Sequence, residues 1–257
     1  LETFGLTDAD GLPLGAKALL HSSGTAALTT LFMSHLGQGD RVLTHPSLYG
    51  GTDELLQKIL PSLGVETVFV DMHHPEEVEG LLKKDPSFKM MYLETPANPT
   101  LRCVDLELCI GLARKYNLVS AVDNTFASPY LQRPFRYGAD YVFHSTTKFL
   151  NGHGTAVGGV LIGRDLARMK ERVTKVHNIL GGNASPFDAY LLTQGIKTLE
   201  LRMMRHCDNA MQVARFLDSH PAVARVNYPG LESHPDHQIA LKQMSHPGSM
   251  MSYELKG

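Results

Sequence analysis

The fold is decided by residues 89–125, KMMYLETPANPTLRCVDLELCIGLARKYNLVSAVDNT. Two apolar runs, at 90–94 and 119–123, enclose a segment whose apolar residues recur at helical spacing. A strand, a helix and a second strand in this order are typical of a βαβ unit, in which the two strands lie parallel. Because both runs are apolar throughout, we expect both faces of the sheet to be covered.

The same alternation extends along most of the chain. Other short apolar runs predict strands, and amphipathic segments of roughly 10–17 residues separate them. These additional strands are expected at 42–44, 65–71, 140–144 and 157–162. The sequence therefore predicts an α/β fold with a mostly parallel sheet and helices on both of its faces.

The pattern changes near residues 185–188. From residue 188 to residue 220 the chain has one long helical pattern, interrupted at Gly195. A proline- and histidine-rich loop, a short helix and a strand-like segment follow, which is too little for a complete second domain. We therefore expect residues 1–199 to form a large domain, and residues 200–257 to be the incomplete beginning of a smaller C-terminal domain.

The composition excludes several classes of protein. The 257 residues carry 24 Lys and Arg against 26 Asp and Glu, and the net charge of −2 includes no block of one sign, so no nucleic-acid partner is expected. Hydrophobic residues make up 43% of the chain, the mean hydropathy is −0.12, and no apolar run approaches the ~18 residues of a membrane span. We expect a globular protein with a large core and no membrane partner.

The cysteines and histidines of the chain show no pattern of a disulfide framework or a metal site. The three cysteines are odd in number and form no CxxC pair, which predicts reduced thiols in the cytoplasm. His234 and His237 are three residues apart, but the surrounding prolines argue against a helical pair of ligands. No metal is expected.

Four clusters stand where an α/β sheet binds its ligands, beyond the carboxyl ends of the strands. Small residues at 22–27 open an amphipathic helix, whose first backbone N–H groups either hold a phosphate or reflect close packing alone. Asp123 ends a buried strand. Its carboxylate is either a cap or turn residue or the counter-charge of a cationic ligand atom.

The other two clusters contribute an amine and an aromatic ring. Lys148 follows a strand, with the hydroxyls of Ser145 and Thr147 before it, and is either a nucleophile or a surface lysine beside a turn. Tyr49 precedes two glycines, which allow a flat ligand to approach closely. Together, a phosphate cup, an acid, an amine and an aromatic ring fit one cofactor, pyridoxal 5′-phosphate (PLP).

These motifs resemble those of one known family. The chain is similar to the Cys/Met-metabolism group of fold-type I PLP enzymes: the methionine and cystathionine γ-lyases, the cystathionine γ-synthases and the acyl-homoserine sulfhydrylases. The Ser-x-x-Lys run that ends in Gly-His is specific to this group. The resemblance covers nearly the whole chain and is densest at 22–27, 48–52, 94–99, 122–134, 145–153, 185–188 and 195–199. It implies an aspartate-aminotransferase-like large domain that binds PLP.

The resemblance also implies roles for the residues that would do the chemistry. Lys148 would form the Schiff base and then move protons between substrate carbons. Asp123 would keep the pyridine nitrogen protonated, so that the ring draws electrons from the substrate. Tyr49 would stack on the ring and act as an acid or base at the leaving group. Glu94 would steady this edge of the site.

Five further residues would bind the cofactor by the same resemblance. Gly24 and Thr25 would present backbone amides to the phosphate, and Ser145 and Thr147 would add hydroxyl donors. Asn98 would contact the ring hydroxyl. The family forms dimers of dimers with shared active sites, so a homo-oligomer is implied.

The expected activity is γ-elimination on a small-molecule sulfur amino acid such as methionine, homocysteine or cystathionine, which yields a 2-oxo acid, ammonia and a thiol. The alternative is γ-replacement on an acyl-homoserine. Two rivals from other classes are a nicotinamide dehydrogenase and a homologue without catalytic activity. The dehydrogenase is disfavoured because in Gly152-His153-Gly154 and Gly158-Gly159 the third glycine is one residue late and a strand follows.

Some family features are absent from these residues. A Tyr-x-Arg element that reaches the neighbouring subunit's phosphate and an arginine for the substrate carboxylate are not found. Residues 1–5 lack an initiator Met and the features of a signal peptide, so we expect a fragment or trimmed chain. Were Gly257 the natural end, we would expect cofactor binding with little turnover. Gly51 stands where methionine γ-lyases usually have cysteine, and Thr155 stands where lyases usually have aspartate, a feature closer to the sulfhydrylases. Residues 245–257 are closer to the lyases, so the subtype stays open.

Overall fold

The computed structural model describes residues 1–8 and 14–257. Seven of its strands form one sheet in the order β1-β7-β6-β5-β4-β2-β3. Their bounds are β1 Lys17–His21, β2 Arg41–Thr44, β3 Glu66–Phe69, β4 Phe88–Glu94, β5 Val119–Asp123, β6 Tyr141–Ser145 and β7 Gly159–Gly163. The pairs β2/β3, β2/β4, β4/β5 and β5/β6 are parallel. The predicted α/β fold with a mostly parallel sheet is confirmed.

Two strands of the sheet, β1 and β7, differ from the prediction. The run at 157–162 forms β7, but β7 lies antiparallel to both β6 and β1. The strand β1 was not predicted. A strand between two neighbours with both faces covered is apolar whatever its direction, so the composition of β7 does not reveal its orientation.

Helices cover both faces of the sheet. The helices are α1 Gly24–His35, α2 Gly50–Glu54, α3 Pro75–Lys84, α4 Leu106–Lys115, α5 Ser128–Leu131, α6 Leu166–Arg168, α7 Thr174–Leu180, α8 Pro186–Ile196, α9 Leu199–Asp218 and α10 His237–Gln243. Along β4, Met90 and Tyr92 pack with α1, whereas Met91 and Leu93 pack with α3 and α4. This alternation makes β4 a central strand that is buried on both sides.

The long helical stretch is broken, as expected, next to Gly195, because α8 ends at Ile196 and α9 begins at Leu199. The strands β8 (Val223–Asn227) and β9 (Ser252–Leu255) form a separate antiparallel pair beyond it. The cysteines Cys103, Cys109 and Cys207 are free and buried. In the described part of the chain, no helix combines the length and the hydropathy that crossing a membrane requires.

An ionic cluster around the buried Asp236 joins three distant segments. Asp236 is 3% exposed, and its carboxylate accepts hydrogen bonds from Arg102 Nε at 2.6 Å and from the Cys103 backbone N–H at 2.8 Å. His73 Nε2 lies 3.1 Å from the same carboxylate. Although burial acts in the opposite direction, these donors hold the pKa of Asp236 well below its usual range. Asp236 in turn raises the pKa of His73.

Asp236→Asn is therefore expected to destabilise the protein by about 1–3 kcal/mol near pH 5.5. A carboxyl with a lowered pKa stabilises the fold above about pH 4 and loses this effect as the pH falls, whereas a histidine with a raised pKa stabilises it below about pH 6.5 and loses this effect as the pH rises. The loss of stability caused by Asp236→Asn should therefore be smaller below about pH 4 and above about pH 6.5. Urea unfolding at pH 3, 5.5 and 8 would measure it.

The matched control is Glu66→Gln, since the Glu66 side chain is 58% exposed and pairs with Arg41 at the surface. Its effect should stay below about 1 kcal/mol, as is usual for exposed ion pairs. Equal effects of the two substitutions at every pH would show that the cluster around Asp236 contributes no more than a surface pair.

Candidate active site

A cavity of about 620 Å³ opens at the carboxyl edge of the parallel strands. This size is typical of small-molecule sites. The residues predicted from the sequence as site residues all line it: Gly24, Thr25, Tyr49, Asn98, Asp123, Ser145, Thr147 and Lys148. The register of the sheet explains their convergence, because Glu94 on β4 lies opposite Asp123 on β5, and Asp123 lies opposite Phe143 on β6.

The start of α1 forms one end of the cavity. Ser23 is the N-cap of this helix, and its hydroxyl accepts a hydrogen bond from Ala26 N at 3.0 Å. Gly24 and Thr25 are the first residues of the helix, where N–H groups have no partner within the helix and the dipole favours an anion. A Cβ on Gly24 would lie 3.2 Å from the Phe143 ring and 3.4 Å from Ser145 Cβ. A glycine therefore lets the helix start approach the end of β6.

Thr147 has a more structural setting than the sequence suggested. Its hydroxyl accepts a hydrogen bond from Gly158 N at 3.0 Å and donates to Gly158 O at 3.3 Å. Ser145 is held by its backbone, since its N–H donates to Thr125 Oγ1 at 2.9 Å. The Thr147 hydroxyl thus joins the turn after β6 to the segment that enters β7.

Asp123 forms the acidic wall of the cavity. It is 6% exposed, its Oδ1 accepts from Thr125 N at 2.9 Å, and its Oδ2 accepts from the buried Tyr92 hydroxyl at 3.4 Å. Burial raises the pKa of Asp123. Because these donors are uncharged, the carboxylate is available to pair with a cationic atom in the cavity, and such a pair would offset the cost of burying it.

Glu94 connects the acidic wall to two other parts of the site. Its Oε2 accepts from Tyr49 N at 2.8 Å, and its Oε1 accepts from Asn98 N at 2.9 Å. Burial, and then the charge of Asp123, raise the pKa of Glu94. The carboxyl group therefore fixes the backbones of Tyr49 and Asn98 at the end of β4.

Glu94 makes the stability of the cofactor-free protein depend on pH. A carboxyl with a raised pKa favours the folded state while it is protonated, so stability should fall as the pH rises above about 4.3, the ordinary value for glutamate. Glu94→Gln should reduce this fall between pH 5 and 8, which melting temperatures would show. Asp188→Asn, a change at a half-buried carboxyl that accepts a hydrogen bond from Ser185 outside the active-site cavity, is the control. A pH dependence that Glu94→Gln leaves intact would remove Glu94 as its source.

Lys148 and Tyr49 complete the cavity and are both accessible. Lys148 lies in the turn after β6 and is exposed, and its carbonyl accepts from Gly152 N at 2.7 Å. Tyr49 is 50% exposed and immediately precedes α2. A Cβ on Gly51 would lie 2.7 Å from Tyr49 Cε1, so glycine at this position leaves room for the ring.

The structure adds residues that the sequence did not single out. His45 is buried and its Nε2 accepts from Glu94 N at 3.0 Å, and burial lowers the pKa of His45 to about 4. Phe126, Phe143 and Met250 line the cavity. Met250 belongs to the segment after α10, and only the return of the chain there brings it to the cavity. Met250 is distant in sequence from the other site residues, so no local sequence pattern indicates that it lines the cavity.

The sheet, the helix start and the buried acid facing an accessible lysine are those expected of a PLP-dependent enzyme. Comparison with known proteins agrees. The sequence profile of the family described as "Cys/Met metabolism PLP-dependent enzyme" matches residues 10–257. This chain therefore belongs to the Cys/Met metabolism family of PLP-dependent enzymes.

Three relatives show the range of this family. An L-methionine gamma-lyase of Porphyromonas gingivalis is 43% identical over 95% of this chain and 61% of its own length. A cystathionine beta-lyase of Coxiella burnetii is 42% identical over 95% of this chain and 63% of its own. The solved structure of a cystathionine gamma synthase from Xanthomonas oryzae pv. oryzae, in complex with aminoacrylate and cysteine, has a TM-score of 0.90 and 38% identity over 93% of this chain and 61% of its own. The chain thus spans about three fifths of the length of these relatives.

Proposed function

We propose that this protein catalyses PLP-dependent γ-elimination on a sulfur amino acid such as methionine, homocysteine or cystathionine. The products would be a 2-oxo acid, ammonia and a thiol. The observation that carries the proposal is the meeting of buried Asp123 and exposed Lys148 in one cavity whose far end is a helix start. When bound, PLP supplies an aldehyde and an electron-accepting ring.

The donor set of the cavity fits this cofactor, and each end of the site has its own task. The N–H groups of Gly24 and Thr25 and the hydroxyl of Ser145 would hold the phosphate, and the Thr147 hydroxyl would join them by turning its proton away from Gly158 O. Asp123 would hold the proton on the pyridine nitrogen, since a buried carboxylate is stabilised by a cation. Asn98 would contact the ring hydroxyl. These contacts would hold the cofactor ring in the cavity that Tyr49 lines.

Two residues would move protons. Lys148 Nζ would hold the aldehyde carbon and, once released by the substrate amine, would take the proton from Cα and return it elsewhere on the substrate. Tyr49 would give or take a proton at the departing sulfur. Glu94 would keep Tyr49 in reach by its bond to the Tyr49 backbone N–H.

γ-Replacement on an acyl-homoserine is the second candidate. The likeness to a cystathionine gamma synthase supports it. Thr155, which stands where lyases usually have aspartate, donates from its hydroxyl to Asn151 Oδ1 at 3.1 Å. Membership of the family and the strand that follows the glycines at 158–159 argue against the nicotinamide dehydrogenase.

Product analysis separates the remaining candidates. The PLP-loaded protein would be given L-methionine, L-homocysteine and L-cystathionine, each alone, and then O-acetyl- or O-succinyl-homoserine with a thiol. We expect a 2-oxo acid with a thiol from a single substrate. Product only from the mixture would identify a replacement enzyme. PLP bound at Lys148 without product from any substrate would identify a non-catalytic homologue.

We also propose a homo-oligomer, a dimer of dimers with shared sites, in the cytoplasm. Exposed apolar side chains near the α7–α8 connection favour association, namely Ile179, Phe187 and Tyr190 at 75%, 67% and 58% exposure. Three buried free thiols are consistent with a reducing compartment. The proposed domains are a large PLP-binding domain at 1–199 and the beginning of a small domain at 200–257, which is supported by the separate β8/β9 pair.

A further inference from the structure

Arg202 on α9 donates three hydrogen bonds, one to the turn that contains Lys148 and two to the junction of α8 and α9. Its NH1 nitrogen lies 2.8 Å from Phe149 O, its NH2 nitrogen 2.8 Å from Gly195 O, and its Nε 3.1 Å from Thr198 Oγ1. The first of these acceptors belongs to the residue after Lys148. We call residues 146–152 the lysine loop.

Two glycines allow this guanidinium to reach the backbone. A Cβ on Gly195 would lie 2.2 Å from Asn151 O, so α8 approaches the lysine loop more closely than any side chain would permit. A Cβ on Gly152 would overlap the Arg202 guanidinium, and Gly152 has a φ of +71°. Gly152 thus leaves the space that the guanidinium occupies, and Gly195 brings its own carbonyl within reach of it.

The charge of Arg202 is not used in an ion pair with these partners. All three acceptors are uncharged oxygens, and burial lowers the pKa of Arg202. A guanidinium has five N–H donors in a rigid plane, which suits it to hold several carbonyl groups in one fixed arrangement. The contacts therefore fix geometry.

The lysine loop is also held by short bonds of its own, by the bonds of Thr146 and Thr147 to Gly158 and by apolar packing. Asn151 N donates to Thr146 O at 3.1 Å, and Gly152 N donates to Lys148 O at 2.7 Å. Leu150 packs in the same apolar cluster as Leu199 and Met203 of α9. These contacts should keep the loop folded without Arg202, but none of them holds the Phe149 carbonyl, which accepts from Arg202.

We propose that Arg202 is a positioning residue for Lys148, because it locks the backbone of the lysine loop against the junction of α8 and α9. The inference rests on the proposed role of Lys148 and adds a residue outside the cavity to the machinery. Arg202 touches neither cofactor nor substrate in this account, and it acts through the loop.

The test combines a cofactor-independent and a cofactor-dependent readout on Arg202→Ala, Arg202→Lys and the control Arg205→Ala, which changes an exposed arginine of the same helix. In the cofactor-free protein, hydrogen exchange of the amides at 146–152 should be at least about 10-fold faster in Arg202→Ala, since local opening becomes easier. In the PLP-loaded protein, the rate at which borohydride fixes PLP on Lys148 should fall by about the same factor, and the pH midpoint of the cofactor absorbance should shift. Arg202→Lys should be intermediate, and Arg205→Ala should match the wild type.

A folded Arg202→Ala with wild-type exchange in the lysine loop would overturn the proposal, as would wild-type PLP fixation and an unchanged pH midpoint despite faster exchange. If Arg202→Ala does not fold, Arg202→Lys decides between the same outcomes. If the wild-type protein itself fixed no PLP on Lys148, the proposed function would fall. Unequal exchange between the variants would then still show that Arg202 locks the loop.

Discussion

Lys148→Ala is expected to abolish the formation of 2-oxo acid, with a loss of at least on the order of 10³-fold. Alanine offers no amine to hold the aldehyde carbon of the cofactor and none to move the substrate proton. The variant should also retain less PLP on gel filtration, although the phosphate end formed by Gly24 and Thr25 is intact. Product formation and the cofactor absorbance of the eluted protein would be measured together.

Lys175→Ala is the matched control, because Lys175 is an exposed lysine of α7 outside the cavity. It should retain wild-type turnover and cofactor content. Normal turnover by Lys148→Ala would exclude Lys148 as the residue that holds PLP and moves the substrate proton. Loss of turnover in both variants, with equal loss of PLP, would point to a general effect on folding.

Asp123→Asn is expected to reduce kcat by roughly 10²–10⁴-fold, the usual contribution of a positioned proton donor or acceptor. The amide cannot hold the proton on the pyridine nitrogen, so the ring withdraws electrons less strongly. The cofactor-free variant should be no less stable than the wild type. Burial already raises the pKa of Asp123, which means that the folded protein loses stability by ionising this group at neutral pH.

Stopped-flow measurement of Cα deprotonation and urea unfolding of the cofactor-free form would test both halves of this prediction. Asp208→Asn is the control, since Asp208 is exposed on α9. Unchanged deprotonation in Asp123→Asn would remove Asp123 from the site. A cofactor-free variant that unfolds at much lower urea would show a structural role instead.

The strands were predictable where a short apolar run has clear limits. The strand predicted at 119–123 forms Val119–Asp123, and the run at 90–94 forms most of Phe88–Glu94. The strand Lys17–His21 was not predicted because its sequence, Lys-Ala-Leu-Leu-His, mixes charged and apolar residues. Only His21 of the five residues is fully buried, so the strand has no continuous apolar run. The direction of Gly159–Gly163 is set by its neighbours in the sheet, which the local sequence does not encode.

The site was predictable because its residues follow strand ends in sequence. The rule that parallel strands place their carboxyl ends at one edge brings Asp123 and Lys148 into one cavity. Contacts between distant segments had no such signal. The bond of Arg202 to Phe149 O spans 53 residues, and Met250 reaches the cavity only through the course of the chain after α10.

The role of Lys148 is decided by loading the protein with PLP, reducing it with borohydride, digesting it and mapping the cofactor mass by peptide mass spectrometry. If Lys148 holds the cofactor, the added mass is found on the peptide that contains Lys148 and is lost in Lys148→Ala. Attachment at another lysine, or retention of the same label in Lys148→Ala, would contradict this role.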